Sequence, residues 1–386
     1  MVAPYTEASC AQDITCYPSM VTVDGVRARI ETHGDITIRT LFDDLLYVWL
    51  VGPELIAAHI THVKHAASKG QHAREFHAAF NVTLRGSYEL HVRVDQIGQS
   101  LLGHHREVFA SPFHIFARGS AEHIDLVGRP VCSSVRAASR GSWFHQHHVH
   151  SSNGGFKAIA EQARNDYIWV PDGCQLRPVW DTPERLRKWY AQRVCAFGDS
   201  YLRTLLAGML YYVGLTNASQ YQSTGPAGGL QARSNWDAAN TSFFWHTSSI
   251  SGWETCSQEA DVILMSLVTV PSRLTLQRIL GTRSTGKTPV VYMLPHPWSG
   301  KYLTTKRNNV QLHRDRARTL AMLPRHVDVL DAWSMTHARH DEACDGTHFV
   351  CMAMGKREIS PVGLWEGVVL AQARRPHEPR LLTPSG

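Results

Sequence analysis

Three residues carry the types and spacing for nucleophilic catalysis: Ser200, Asp345 and His348. Ser200 lies in Arg193–Arg203 (RVCAFGDSYLR), and Asp345 and His348 stand together in Asp345-Gly346-Thr347-His348. A serine hydroxyl attacks well only when a base takes its proton and a third group holds that base. The Asp-x-x-His spacing lets one loop present both partners. The carboxylate would fix the imidazole tautomer and stabilise the imidazolium formed as Ser200 attacks. Each piece alone has a plainer reading. Ser200 fits an N-capping serine after a buried strand, and Asp345–His348 fits an Asx-type turn beside a surface histidine. Their pairing at two ends of one α/β region favours catalysis.

The elements that position Ser200 are legible around it. Val194, Cys195, Ala196 and Phe197 form the apolar run of a strand buried on both faces. Gly198 permits a sharp exit. From Tyr201 onward the period changes, with Leu202, Leu205, Leu206, Met209, Leu210 and Val213 at helical spacing. The serine therefore stands at a strand-to-helix junction, beside the N–H groups of a helix N-terminus, where an oxyanion would be stabilised.

The surrounding chain alternates strands and helices. Asp181-Thr182-Pro183-Glu184 is a helix start. Ser242–Thr247, Asp261–Val268, Pro289–Leu294 and Val327–Trp333 read as strands, and 272–280, 309–323 and 361–374 as helices. That order predicts a mostly parallel sheet with helices on both faces, whose chemistry gathers at the carboxyl ends of the strands. Before it, short alternating runs (VTVDGVRARIE, Phe76–Leu84, Tyr88–Ile97, Ser111–Arg118) predict a β-sandwich. The domain plan is a tail over 1–18, the sandwich over 19–118, a linker and entry segment over 119–165, the α/β domain over 166–375 and a tail over 376–386.

Composition narrows the function classes. The chain has 386 residues, 43% hydrophobic and 19% charged, as expected of a globular protein with a sizeable core. The net charge of +6 is mild and the basic residues are scattered, so no nucleic-acid partner is expected. No run of about 18 apolar residues occurs, so no transmembrane segment is expected. Residues 1–20 lack the basic start and apolar core of a signal peptide. Eight cysteines are widely spaced, without a C-x-x-C pair, which permits disulfides and argues against zinc; Cys195 is expected to be a free core thiol. His145, His147, His148 and His150 cluster in WFHQHHVHSSNGG, but no Cys or carboxylate sits at ligand spacing. The stretch reads as an exposed linker, and neither a metal nor another cofactor is expected.

Several ordered motifs together resemble the PC-esterase branch of the GDSL/SGNH hydrolases, as in trichome birefringence-like proteins and the neurexophilin and PC-esterase domain family. Gly141-x-Trp143 and Trp169-x-Pro171-x-x-Cys174 resemble its entry segment, and Gly198-Asp199-Ser200 with Arg203 its nucleophile block. Asp331-Ala332-Trp333-x-Met335-Thr336 resembles the neurexophilin-type D-A-W-D-M-T run, with Ser334 replacing an acid. Asp345-x-x-His348 matches the acid–base block. Gly86-x-Tyr88 followed by Ser111-Pro112-Phe113 resembles the closing strands of filamin-like immunoglobulin repeats.

The resemblance implies a flavodoxin-like, three-layer SGNH domain preceded by an immunoglobulin/filamin-like sandwich. It implies O-acyl transfer, expected to be O-acetyl, to or from a glycan, in the Golgi or outside the cell. There the sequons at Asn81, Asn217 and Asn240 acquire meaning. One departure concerns the oxyanion: Met265-Ser266-Leu267-Val268-Thr269 lacks the family's Gly or Asn. The donors left are the Ser200 backbone N–H, the Gly198 region, Ser266 or Thr269, with His246 a further support candidate. Losing one such donor costs about 10²–10³ in turnover. The alternative is therefore a catalytically degenerate module that binds glycan or protein. A lipid esterase is disfavoured because no apolar lid segment occurs. The acyl donor and the acceptor are left open.

Overall fold

The computed structural model describes residues 22–40, 45–63, 74–97, 100–108, 111–151, 166–177, 183–215, 233–236, 240–245, 253–280, 288–297, 309–339 and 361–373. Its first half is built from ten strands: β1 (Thr22–Asp24), β2 (Arg29–Ile30), β3 (His33–Thr40), β4 (Leu45–Val51), β5 (Glu54–Ala57), β6 (His59–Val63), β7 (Arg74–Asn81), β8 (Gly86–Ile97), β9 (Ser100–Glu107) and β10 (Phe113–Ala117). Alternation dictates how they pack. Ile36 and Ile38 of β3 and Phe76, Ala78 and Phe80 of β7 face Val48 and Leu50 of β4 and Leu90, Val92 and Val94 of β8. Two largely antiparallel sheets thus enclose one apolar layer.

A connecting region follows, with β11 (Ile124–Asp125), α1 (Val135–Ala138), β12 (Gly141–His145), β13 (Val149–His150) and β14 (Tyr167–Pro171). Here the structure corrects the linker expectation. Residues 141–145 form a strand that pairs with both β5 and β14, and Trp143 is buried. In that register Gly141 faces Pro171 and Trp143 faces Trp169. A side chain at 141 would meet the Val170 carbonyl oxygen at 2.2 Å, so only glycine lets the two strands approach this closely.

The second half comprises α2 (Pro183–Tyr190), β15 (Val194–Gly198), α3 (Ser200–Tyr212), β16 (Arg233–Trp236), β17 (Thr241–Trp245), α4 (Trp253–Glu259), β18 (Val262–Ser266), α5 (Arg273–Leu280), β19 (Val290–Met293), α6 (Asn309–Met322), β20 (Asp328–Leu330), α7 (Ala332–His337) and α8 (Pro361–Leu370). The sheet runs β16-β17-β15-β18-β19-β20, parallel except for the edge strand β16. Alternate strand residues serve opposite faces. Val194, Ala196, Leu264 and Met293 pack with α3 and α8, whereas Phe197, Ile263, Met265 and Tyr292 pack with α4, α5 and α6. The chain is a mixed α/β protein with helices on both faces of a parallel sheet and an antiparallel region before it. Asp328–Leu330 ends earlier than the expected strand 327–333, because Asp331 caps α7 through a bond from the Ser334 N–H.

Cys195 is not a free thiol: it is bonded to Cys256, and Cys132 to Cys174. No helix among the described residues is long and apolar enough to cross a membrane. One apolar cluster joins the two halves, running from Leu55 and Leu84 through Trp143 and Trp169 to α3 and α8. Polar ties reinforce it. The Trp143 indole donates to the Met335 carbonyl at 2.7 Å, and the Val135 N–H donates to Asp328 at 2.6 Å.

Candidate active site

Relative to the five parallel strands in chain order, the sheet order is second, first, third, fourth, fifth. Connections leave the first strand toward one edge and then cross to the other, opening a crevice beside its carboxyl end. That first strand is β15, and Ser200 follows it directly.

Gly198 and Asp199 fix the junction. A Cβ on Gly198 would lie 2.5 Å from the Ser266 carbonyl oxygen and 3.3 Å from its nitrogen. The glycine is required by the close approach of β18, not by an unusual backbone angle. Gly198→Ala is therefore expected to cost about 1–3 kcal/mol, by chemical denaturation, and to displace Ser200, because neither backbone can yield freely. Asp199 is the N-cap of α3. One carboxylate oxygen accepts from the Tyr201 N–H at 3.1 Å and the other from the Val268 N–H at 2.9 Å. It thereby clamps the first helical turn to the loop after β18.

Ser200 is partly accessible, while Tyr201 through Leu210 are buried. The helix thus fixes the serine at its amino end, where the backbone dipoles favour negative charge. Arg203 is nearly buried, and its guanidinium stacks over Trp245, 4.8 Å from the ring centroid. That contact draws the end of β17 toward α3. Ser266 is buried at the end of β18. The structure so brings Gly198, Asp199, Ser200, Arg203 and Ser266 into one neighbourhood. Asp345, His348 and His246 lie outside the described residues.

A buried cluster behind Ser200 was not anticipated from the sequence. The Tyr201 hydroxyl donates to Glu366 Oε1, and the His296 ring lies against Tyr201 with centroids 3.7 Å apart. Glu366 and His296 are buried, and Glu366 Oε2 has no hydrogen-bond partner among the described residues. Burial pushes the Glu366 carboxyl up to about 8, so it is largely neutral at pH 7. Burial and the neighbouring Glu366 push the Tyr201 phenol well above its ordinary range. The signals were present: Glu366 is the lone acid in PVGLWEGVVL, and His296 stands between two prolines just after β19.

The Gly141–Trp143 and Asp331–Thr336 stretches meet through the Trp143 indole bond to the Met335 carbonyl. Ser139 Oγ accepts from the Asp331 N–H at 3.0 Å, and Arg316 pairs with the Asp331 carboxylate. Ser334 Oγ donates to Asp331 Oδ2 at 2.8 Å. No protein-family model matches the chain, and no curated protein matches it.

Proposed function

We propose that the chain is a serine-dependent O-acyl transferase or esterase acting on glycans, with acetyl as the expected acyl group. The observation that carries this reading is the placement of Ser200 at the carboxyl end of β15, on a helix N-terminus beside the crossover crevice. In this reading Ser200 Oγ attacks the acyl carbonyl as His348 takes its proton, and Asp345 orients His348. The oxyanion draws on the Ser200 N–H and the dipole of α3. The leaving alkoxide takes its proton from His348, and a sugar hydroxyl or water then releases the acyl-serine by the reverse sequence.

The strand order is that of flavodoxin-like sheets, which supports an SGNH-type domain. The opposed pairs Gly141/Pro171 and Trp143/Trp169 support membership in the PC-esterase branch, with the preceding two-sheet region as an immunoglobulin-like sandwich. Disulfides persist in oxidising compartments, and Cys132–Cys174 and Cys195–Cys256 support a secretory setting.

The test is intact-protein mass spectrometry after exposure to an activated acetyl ester. A single acetyl adduct mapped to Ser200 is expected; a folded protein that gains none there overturns the catalytic reading. A second reading, a degenerate glycan- or protein-binding module, draws on one observation. The Val268 N–H, within the atypical Met265–Thr269 stretch, is engaged by Asp199 and so is withdrawn from an oxyanion.

A further inference from the structure

The histidines of the connecting region are joined by a fifth that is distant in sequence. β11 pairs in parallel with β13, Ile124 opposite Val149 and Asp125 opposite His150, and the Leu126 N–H donates to the His150 carbonyl at 2.9 Å. This register carries His123 to the side of His148 and His150, with ring centroids at 6.0 and 4.6 Å. His145 lies 6.3 Å from His148 and 4.9 Å from His147. Five imidazoles from two backbone segments therefore share one surface. His123, His147 and His150 are exposed.

We propose that His123, His145 and His148 form the core of a capture site for a borderline divalent transition metal such as Zn²⁺, with His147 and His150 as alternative ligands. His148 is the best-prepared member. Its Nδ1 lies 3.2 Å from the Glu122 carbonyl oxygen, which can only accept. The neutral tautomer that donates this bond carries its proton on Nδ1 and presents the Nε2 lone pair to a metal. Orientation of a ligating ring by a backbone carbonyl is the usual outer-shell arrangement of metal-binding histidine. His145 Nδ1 accepts a long 3.5 Å bond from the His147 N–H, a weak bond that an incoming metal would displace from the same lone pair.

Among the described residues no three ligand atoms already converge on a common point. Imidazoles sharing a tetrahedral ion at about 2.0–2.1 Å have ring centres about 5 Å apart, so the His123 and His145 rings would each have to turn in toward His148 from 6.0 and 6.3 Å. An all-imidazole set selects Zn²⁺ or Cu²⁺ over Mg²⁺ and Ca²⁺. The site belongs to β12 and the β11–β13 pair, separate from the parallel sheet that carries Ser200, and stands independently of the acyl-transfer reading.

The experiment is titration of the untagged full chain with Zn²⁺ by calorimetry, together with Cu²⁺ as a spectroscopic probe. One ion per chain is expected. His148→Asn and His123→Asn should each weaken Zn²⁺ by about 10-fold or more, with unchanged thermal midpoints. A substoichiometric isotherm, or affinity unchanged in both variants, overturns the proposal. The paramagnetic resonance spectrum of the Cu²⁺-loaded parent keeps the test decisive if a variant misfolds. Coupling to three imidazole nitrogens supports the site; coupling to one or none overturns it.

Discussion

Ser200→Ala is expected to lower turnover of an activated acetyl ester by about 10⁴–10⁶-fold, the usual consequence of deleting the nucleophile of a catalytic triad. The fold should be untouched. Ser200 occupies the first turn of α3, and the capping bond comes from Asp199, so alanine removes no bond of the helix N-cap. Equal thermal midpoints alongside lost turnover are the expected pair of results. Steady-state kinetics and a melting curve on the same preparation supply both. Turnover retained within tenfold of the parent excludes Ser200 as nucleophile. His348→Ala should match Ser200→Ala, since residues acting as one unit lose their function together.

The second large effect is on stability and comes from Glu366. Its carboxyl is raised from about 4.5 to about 8 by burial, with Tyr201 donating to one oxygen. A raised folded-state value on an acid means that the folded protein resists losing the proton. Full stability is present below about pH 4.5, falls as the unfolded chain ionises, and is lost as pH rises through about 8. The difference across that window corresponds to about 4–5 kcal/mol, an order-of-magnitude figure for one fully buried carboxyl. Glu366→Gln keeps an oxygen for the Tyr201 hydroxyl and has no proton to lose. Urea denaturation is expected to give nearly equal stabilities at about pH 5 and a clear advantage for the variant at about pH 9. Parallel profiles would show that Glu366 ionises freely in the fold.

Much of the second half was readable because its signals are local. Val194–Phe197 is a continuous apolar run, and the period changes to helical within two residues of Ser200, so strand, turn and helix follow from neighbours alone. Where the reading failed, the deciding partner is remote. Cys195 fits a buried strand equally well as thiol or disulfide, and only Cys256, beyond α3 and β17, decides. Trp143 and Phe144 open the histidine-rich run WFHQHHVHSSNGG, yet β5 and β14 supply the ladder bonds of Gly141–His145 and Trp143 is buried. Asp331 sits inside an apparently continuous strand, but its carboxylate caps a helix, a competition that side-chain oxygens often win over the ladder. The site was legible in its nucleophile block. The Tyr201–Glu366–His296 cluster was not, since its three members come from α3, α8 and the segment after β19.

Helix α8 packs so closely on α3 that a Cβ on Gly367 would meet the Met209 sulfur at 2.2 Å, and the Tyr190 hydroxyl donates to the Gly367 carbonyl at 2.9 Å. Trp365 meanwhile stands edge-on to Trp143 of the antiparallel sheet. This helix is translated after everything it covers. A growing chain therefore carries Trp143, Tyr190 and the buried side of α3 without their lid until residues 361–373 leave the ribosome. At about 5–20 residues per second that exposure lasts many seconds. Nascent chains halted before α8 should accordingly be the form that chaperones hold and proteases clear.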